Sequence, residues 1–316
     1  MSDQVIQTVK GAVPVDSLGL FLPHEHLFTD LRGPLTIGYG KGNPDQVVEV
    51  MRPYLEAAQA RGVTALAECT GLGVGRNVAV LRRLADITPI HIIAPTGVYK
   101  QGFIPPDLLN MSAEALADLF VRDLLEGMDG TDSRAGSSRS RSATTDRAAK
   151  PAICARRRSP ADGRARWSPS HTIGGAAALR EFAILEDAGH DLSRFIWVHA
   201  HTEPDTAQHV EAARRGVWLE FDAVGAESWH PQAALLRSVL ALIEAGYVDN
   251  LLLSHDAGWY DPGQVDGQPQ PNGIRGYTAL VDDFIPALRS RGVDDATIHR
   301  ITVINPARAF AWGSPT

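Results

Sequence analysis

Leu18-Gly19-Leu20-Phe21-Leu22-Pro23-His24-Glu25-His26 sets an apolar, strand-forming run directly before two histidines spaced by one residue. In an extended strand alternate side chains share a face, so His24 and His26 point one way and Glu25 the other. Two imidazoles about 6–7 Å apart along a strand can chelate one divalent metal ion. Two histidines in an exposed loop would have the same local sequence. Whether further donors arrive at the same level of the fold decides between the two readings.

Working outward, short apolar runs recur at Val63–Ala67, Ile90–Ala94, Phe195–Val198, Val217–Phe221 and Asn250–Leu253. Between them lie stretches with helical spacing, at Asp45–Arg61, Val78–Ala85, Ala113–Leu125, Ala176–Ala188, Pro204–Arg215 and Gln232–Ala245. Strand–helix alternation on this scale predicts a parallel α/β fold, either a barrel or a doubly wound sheet. Strand starts recur every 22–45 residues or so, and the interval from 90 to 195 holds room for two more strands. That makes eight, the count of a (β/α)8 TIM barrel over residues 1–316 as one domain. No glycine-rich dinucleotide loop follows the first strand, which weighs against the doubly wound sheet.

The two missing strands are expected near 134–141 and 165–171, and that stretch is anomalous. Residues 133–168 carry nine Arg and one Lys against two Asp, a balance of +8 in a chain whose net charge is −7. Only Ile153 and Trp167 there are large and apolar, whereas a buried parallel strand normally needs a near-continuous apolar run. A disordered basic insertion and an Arg-rich surface loop are two readings of it. An out-of-frame reading of GC-rich DNA is a third, and it is favoured because the segment replaces barrel elements without changing the overall spacing.

In a barrel, chemistry gathers at the C-terminal ends of the strands. The first strand ends in His24 and His26, the sixth in His199-Ala200-His201, and the eighth in His255-Asp256, while His171 falls where the fifth should end. His and Asp converging from separate strands make an N/O metal site. His199 and His201 share a parity, so either could be the ligand. Of His255 and Asp256 the carboxylate is the better candidate, although an Asp there could instead cap a turn. His91, His190, His209, His230 and His299 read as surface residues.

Composition narrows the field. An acidic net charge argues against nucleic acid as main partner, and no apolar run approaches the roughly 18 residues of a membrane helix. Cys69 and Cys154 provide no disulfide framework, and the N-terminus has no signal pattern, so a cytoplasmic protein is expected.

Leu22-Pro23-His24-Glu25-His26, Ala94-Pro95-Thr96-Gly97-Val98-Tyr99, Glu126-Gly127-Met128-Asp129-Gly130-Thr131, Trp197-Val198-His199, Ser254-His255-Asp256 and Ile304-Asn305-Pro306-Ala307-Arg308 occur in this order. Together they resemble the phosphotriesterase family, with its lactonase-like members, within the amidohydrolase superfamily. The resemblance implies a hydrolase with two divalent metals, zinc foremost, and hydroxide attack on a lactone or phosphoester. It also implies that His24, His26 and Asp256 hold the more buried ion and that His171 and His199 hold the second, with Asp256 also catalytic. Tyr99 would either touch the substrate or only pack, Trp259 and Tyr260 would line the pocket wall, and the protein would form a homodimer. The family's bridging carboxylated lysine is expected at position 139, where this chain has Arg139, and an arginine cannot form a carbamate. Counting without a gap also puts Ser170, not His171, at the fifth-strand ligand position. The competing expectation is therefore an impaired family member that binds fewer than two metals, with a basic segment that binds anions non-specifically.

Overall fold

A computed structural model describes residues 4–138, 140–142 and 168–312. A hairpin of β1 (Val5–Thr8) and β2 (Gly11–Pro14) comes first, with Val5 bridging to Trp312 near the other end of the chain. The wall strands follow: β3 (Leu20–Phe28), β4 (Val63–Glu68), β5 (His91–Ile93) and β6 (Pro95–Thr96), then β7 (Ser137–Ser138), β8 (Ser140–Ser142) and β9 (Ser168–Thr172). The last are β10 (Phe195–Val198), β11 (Trp218–Phe221), β12 (Leu251–Leu253) and β13 (Gly258–Tyr260).

All wall pairings are parallel. β13–β3–β4–β5 form one arc, β6–β7 bridge it onward, and β8–β9–β10–β11–β12 form the other. The Asp256 amide donates to the His24 carbonyl at 3.2 Å and closes the ring between the eighth strand and the first. With β5/β6, β7/β8 and β12/β13 each counted as one position, the wall has eight positions, the (β/α)8 barrel that the spacing predicts.

Two sequence expectations change here. The first strand, expected to end in His24 and His26, runs two residues further, to Phe28, and it accommodates Pro23 because that residue lacks only an N–H and its fixed φ suits an extended chain. The serine-rich stretch, judged unable to supply strands, contributes β7, β8 and β9 close to the expected positions. Their pairing is a backbone property: β9 is in register with β10 from Ser168↔Phe195 to His171↔Val198, and Trp197 Nε1 donates to the Thr172 carbonyl at 3.0 Å. Small side chains leave that register intact although they contribute little apolar burial. Arg139 and residues 143–167 lie outside the described residues.

Helices cover the outside, and their ends are written in the sequence. Asn43 accepts from the Asp45 amide at the start of Pro44–Gln59, Asn77 from Val80 at the start of Val78–Asp86, and Ser112 from Ala115 at the start of Ala113–Leu125. Val47, Met51 and Leu55 of the first helix are fully buried against the sheet. Gly175–Asp187, Thr206–Arg214 and Gln232–Glu244 continue the layer, and the short helices Ile285–Ser290, Asp295–His299 and Asn305–Phe310 follow the eighth strand. His209, expected at the surface, is fully buried: its ring packs 5.5 Å from that of Trp197 and Nε2 meets the Ala200 carbonyl at 2.8 Å. No helix among the described residues is long and apolar enough to cross a membrane.

Candidate metal and substrate site

The C-terminal rim collects the polar side chains. His24 Nε2 and His26 Nε2 lie 3.2 and 3.0 Å from the same atom, Asp256 Oδ1. Their other ring nitrogens are held from behind: His26 Nδ1 by Thr70 Oγ1 at 2.8 Å, and His24 Nδ1 by Glu220 Oε1 at 2.5 Å and Asp222 Oδ2 at 2.7 Å. With Nδ1 donating backward, the Nε2 lone pairs face the rim. Ligand atoms of His24, His26 and Asp256 lie within 4.8 Å of one another, a donor set that suits a divalent ion of borderline softness.

A second pair sits alongside. His171 Nδ1 is 2.8 Å from His199 Nε2, and the His24 and His199 rings are 5.2 Å apart. Ser170 turns the other way, its Oγ donating to Glu181 Oε2 at 3.1 Å, so His171 is the β9 residue that faces the rim. His199 Nδ1 meets Asp222 Oδ1 at 2.9 Å. The strand has ended at Val198, and His199 adopts a left-handed backbone with φ of 63° before a tight turn at Ala200–Thr202. Strand parity therefore does not apply to His201, whose Nδ1 lies 3.0 Å from Asp222 Oδ1 without hydrogen-bonding geometry. Asp256 is left-handed as well, with φ of 48°.

Asp222 and Glu220 were missed by the sequence reading, and a signal for them exists. Two carboxylates spaced by one residue at the end of an apolar strand are as anomalous as His24 and His26 at the end of theirs. Burial raises the Asp222 carboxyl, but His199 and His24 outweigh it and hold the group well below the usual range. Glu220 is pushed up to about 7 by burial, and the neighbouring Asp222 charge adds to the rise. Burial likewise raises Asp256, yet His24 and His26 draw it well below its ordinary value. Burial lowers the pKa of His199, which favours the neutral, metal-binding imidazole.

Glu25, on the opposite face of β3, is fully buried and organises the loop after β12. Its Oε1 accepts from Ser254 Oγ at 2.7 Å, His255 Nδ1 at 2.6 Å and the His255 amide at 3.1 Å, and its Oε2 accepts from the Ala257 amide at 3.1 Å. His255 Nε2 in turn accepts from the Leu280 amide, so His255 faces away from the rim while Asp256 faces it.

A cleft opens over these groups, lined by His26, His171, Asp256, Tyr99, Trp229 and Trp259 among others. The Tyr99 ring stands edge-on to His171, with centroids 5.6 Å apart. Tyr260 is not part of the wall: it is buried and stacks on Phe28 at 6.0 Å.

Comparison with known proteins agrees with this geometry. The phosphotriesterase family matches residues 4–310. The chain is 29% identical to a phosphotriesterase homology protein of Mycobacterium tuberculosis, over 96% of this chain and 97% of that one. It is 26% identical to N-acetyltaurine hydrolase of Danio rerio, over 96% of this chain and 97% of that one. Among solved structures, a mutant PTE-like lactonase of Deinococcus radiodurans superposes with a TM-score of 0.83 at 27% identity, covering 96% of this chain and 99% of that one. The chain belongs to the phosphotriesterase family, which supports a metal-dependent hydrolase of phosphotriesterase or lactonase type.

Proposed function

We propose that this chain hydrolyses a lactone or phosphoester with two divalent metal ions, zinc foremost. His24, His26 and Asp256 would hold one ion, and His171 and His199 would contribute to the other. The observation that carries this reading is the convergence of His24 Nε2 and His26 Nε2 on Asp256 Oδ1 at the floor of the cleft. When bound, divalent ions supply Lewis acidity toward the phosphoryl or carbonyl oxygen and toward the attacking water.

The protein's own groups do the rest. Asp256, kept ionised by its two histidine neighbours, orients the water and accepts its proton at the carboxylate. Glu220 holds the tautomer of His24 and Asp222 that of His199. Tyr99 and Trp259 flank the acyl or phosphoryl group, and Trp229 with Leu31 and Val74 excludes water from its apolar portion. The protein acts as a cytoplasmic homodimer. Because a relative is named for hydrolysis of an N-acyl amide, amides belong on the same substrate panel.

The test is hydrolysis of lactones, paraoxon and N-acyl amides by the purified protein, before and after chelation and after addition of zinc, manganese or cobalt. Loss on chelation and return with metal supports the reading. Turnover that survives chelation, or that survives Asp256→Asn at the parent rate, overturns it.

A further inference from the structure

A second space adjoins the cleft. It shares Trp229 and Trp259 with the first as a common wall. Ala226, Ala257, Pro269 and Pro271 make it largely apolar, and Arg275 is the one charged side chain that lines it. Arg275 comes from the loop that follows β13. Its Nη1 donates to the Val224 carbonyl at 3.0 Å, and its Nη2 donates to the carbonyls of His255 and Asp256, the latter at 2.8 Å. The guanidinium carbon lies 4.9 Å from the centre of the Trp229 ring.

Three carbonyls and an aromatic face do not neutralise a full positive charge. Among the described residues no carboxylate lies within salt-bridge distance of Arg275, whereas the other largely enclosed arginine, Arg76, is paired with both Asp123 and Asp129. A partly buried guanidinium with no carboxylate in contact, acted on by Glu25, Asp256 and Asp222 only at longer range, keeps N–H donors along its edge that suit an oxyanion.

We infer that this second chamber is a subsite for an anionic substituent of the substrate (a carboxylate, sulfonate or phosphate), bound by Arg275 beside Trp229. The reacting centre then sits at Asp256 and the charged tail passes the Trp229–Trp259 wall. The inference rests on the hydrolase reading above and deepens it.

The experiment uses matched lactones whose side chain ends in a carboxylate, a sulfonate, a phosphate or a neutral primary amide. At low salt at least one charged member is expected to have a KM about tenfold or more below that of the amide, and the advantage should shrink as sodium chloride rises. Arg275→Gln should abolish the preference and Arg275→Lys should retain part of it. If Arg275 only staples the two loops, Arg275→Gln will lower kcat for charged and neutral lactones alike and leave their ratio unchanged, which overturns the inference. Calorimetric titration of the parent and Arg275→Gln proteins with propionate, propanesulfonate and propyl phosphate reads binding without turnover. Binding lost in Arg275→Gln, without hydrolysis of any substrate, would sink the hydrolase reading and leave the subsite standing. Lactone hydrolysis with no charge preference and no anion binding would sink the subsite alone.

Discussion

Asp222 Oδ2 lies 2.7 Å from His24 Nδ1, and the other oxygen of the same carboxylate lies 2.9 Å from His199 Nδ1. One buried group from β11's end thus sets the ring orientation of imidazoles from β3 and β10. Asp222→Asn removes the charge that faces both imidazoles; His24 Nδ1 keeps its Glu220 acceptor, so the His199 contact is the one most exposed to the change. Metal affinity should fall about 10- to 100-fold, read by competition with a chromophoric chelator, while far-ultraviolet circular dichroism stays unchanged. Unaltered affinity would show that Asp222 does not position the ligands.

Glu25 satisfies four donors in the loop that carries Asp256. Glu25→Ala leaves buried N–H and O–H groups without acceptors and should cost about 3 kcal/mol or more in urea unfolding. A cost below about 1 kcal/mol would mean that water replaces the carboxylate.

Gly258 is left-handed, with φ of +90°, and a Cβ there would sit 2.0 Å from the Tyr277 hydroxyl and 2.3 Å from the His26 carbonyl. Tyr277 donates to that same carbonyl at 2.6 Å. Gly258→Ala should therefore cost about 2 kcal/mol or more and weaken metal binding through His26. Tyr277→Phe, which removes only the hydrogen bond, should cost about 1 kcal/mol. Equal thermal shifts for the two variants would contradict this ordering.

Asp30, between two residues that line the cleft, supplies a pH dependence that does not involve the metal-facing side chains. Burial raises its carboxyl, but hydrogen bonds from the Arg32 side chain and the Gly40 and Arg32 amides outweigh that and leave it below its ordinary value of 3.8. The folded pKa is thus lower than the unfolded one, so the stabilisation is present above about pH 4 and is lost as pH falls through the folded value. Hydrogen exchange over residues 30–42, corrected for intrinsic rate, should rise below that point. Asp30→Asn should show the faster exchange already at pH 7.

The barrel was readable because its strands are short apolar runs at regular intervals, and Phe195-Ile196-Trp197-Val198 is buried along its whole length. Ser137–Ser138, Ser140–Ser142 and Ser168–Thr172 were readable only by counting, since backbone pairing with neighbouring strands holds them and no side-chain pattern reports it. His24, His26 and Asp256 could be assembled from strand ends alone. His201 could not be separated from His199, because the strand's alternation stops at Val198 and the chain turns left-handed. His209 was misread since a helix in the outer layer buries one face, and one imidazole on that face found the Ala200 carbonyl.

The left-handed backbones of His199 and Asp256 limit which side chains can stand there. Asn, Asp, His and Gly enter that region at low cost, whereas β-branched residues do so only under strain. A deep mutational scan should therefore find a narrow alphabet at both positions for two superimposed reasons, conformation and chemistry. Asparagine separates them: it keeps the backbone and removes the ligand. Variants that carry it should retain their melting temperature when metal-free, which makes 199 and 256 the positions at which chemistry can be removed with the architecture left standing.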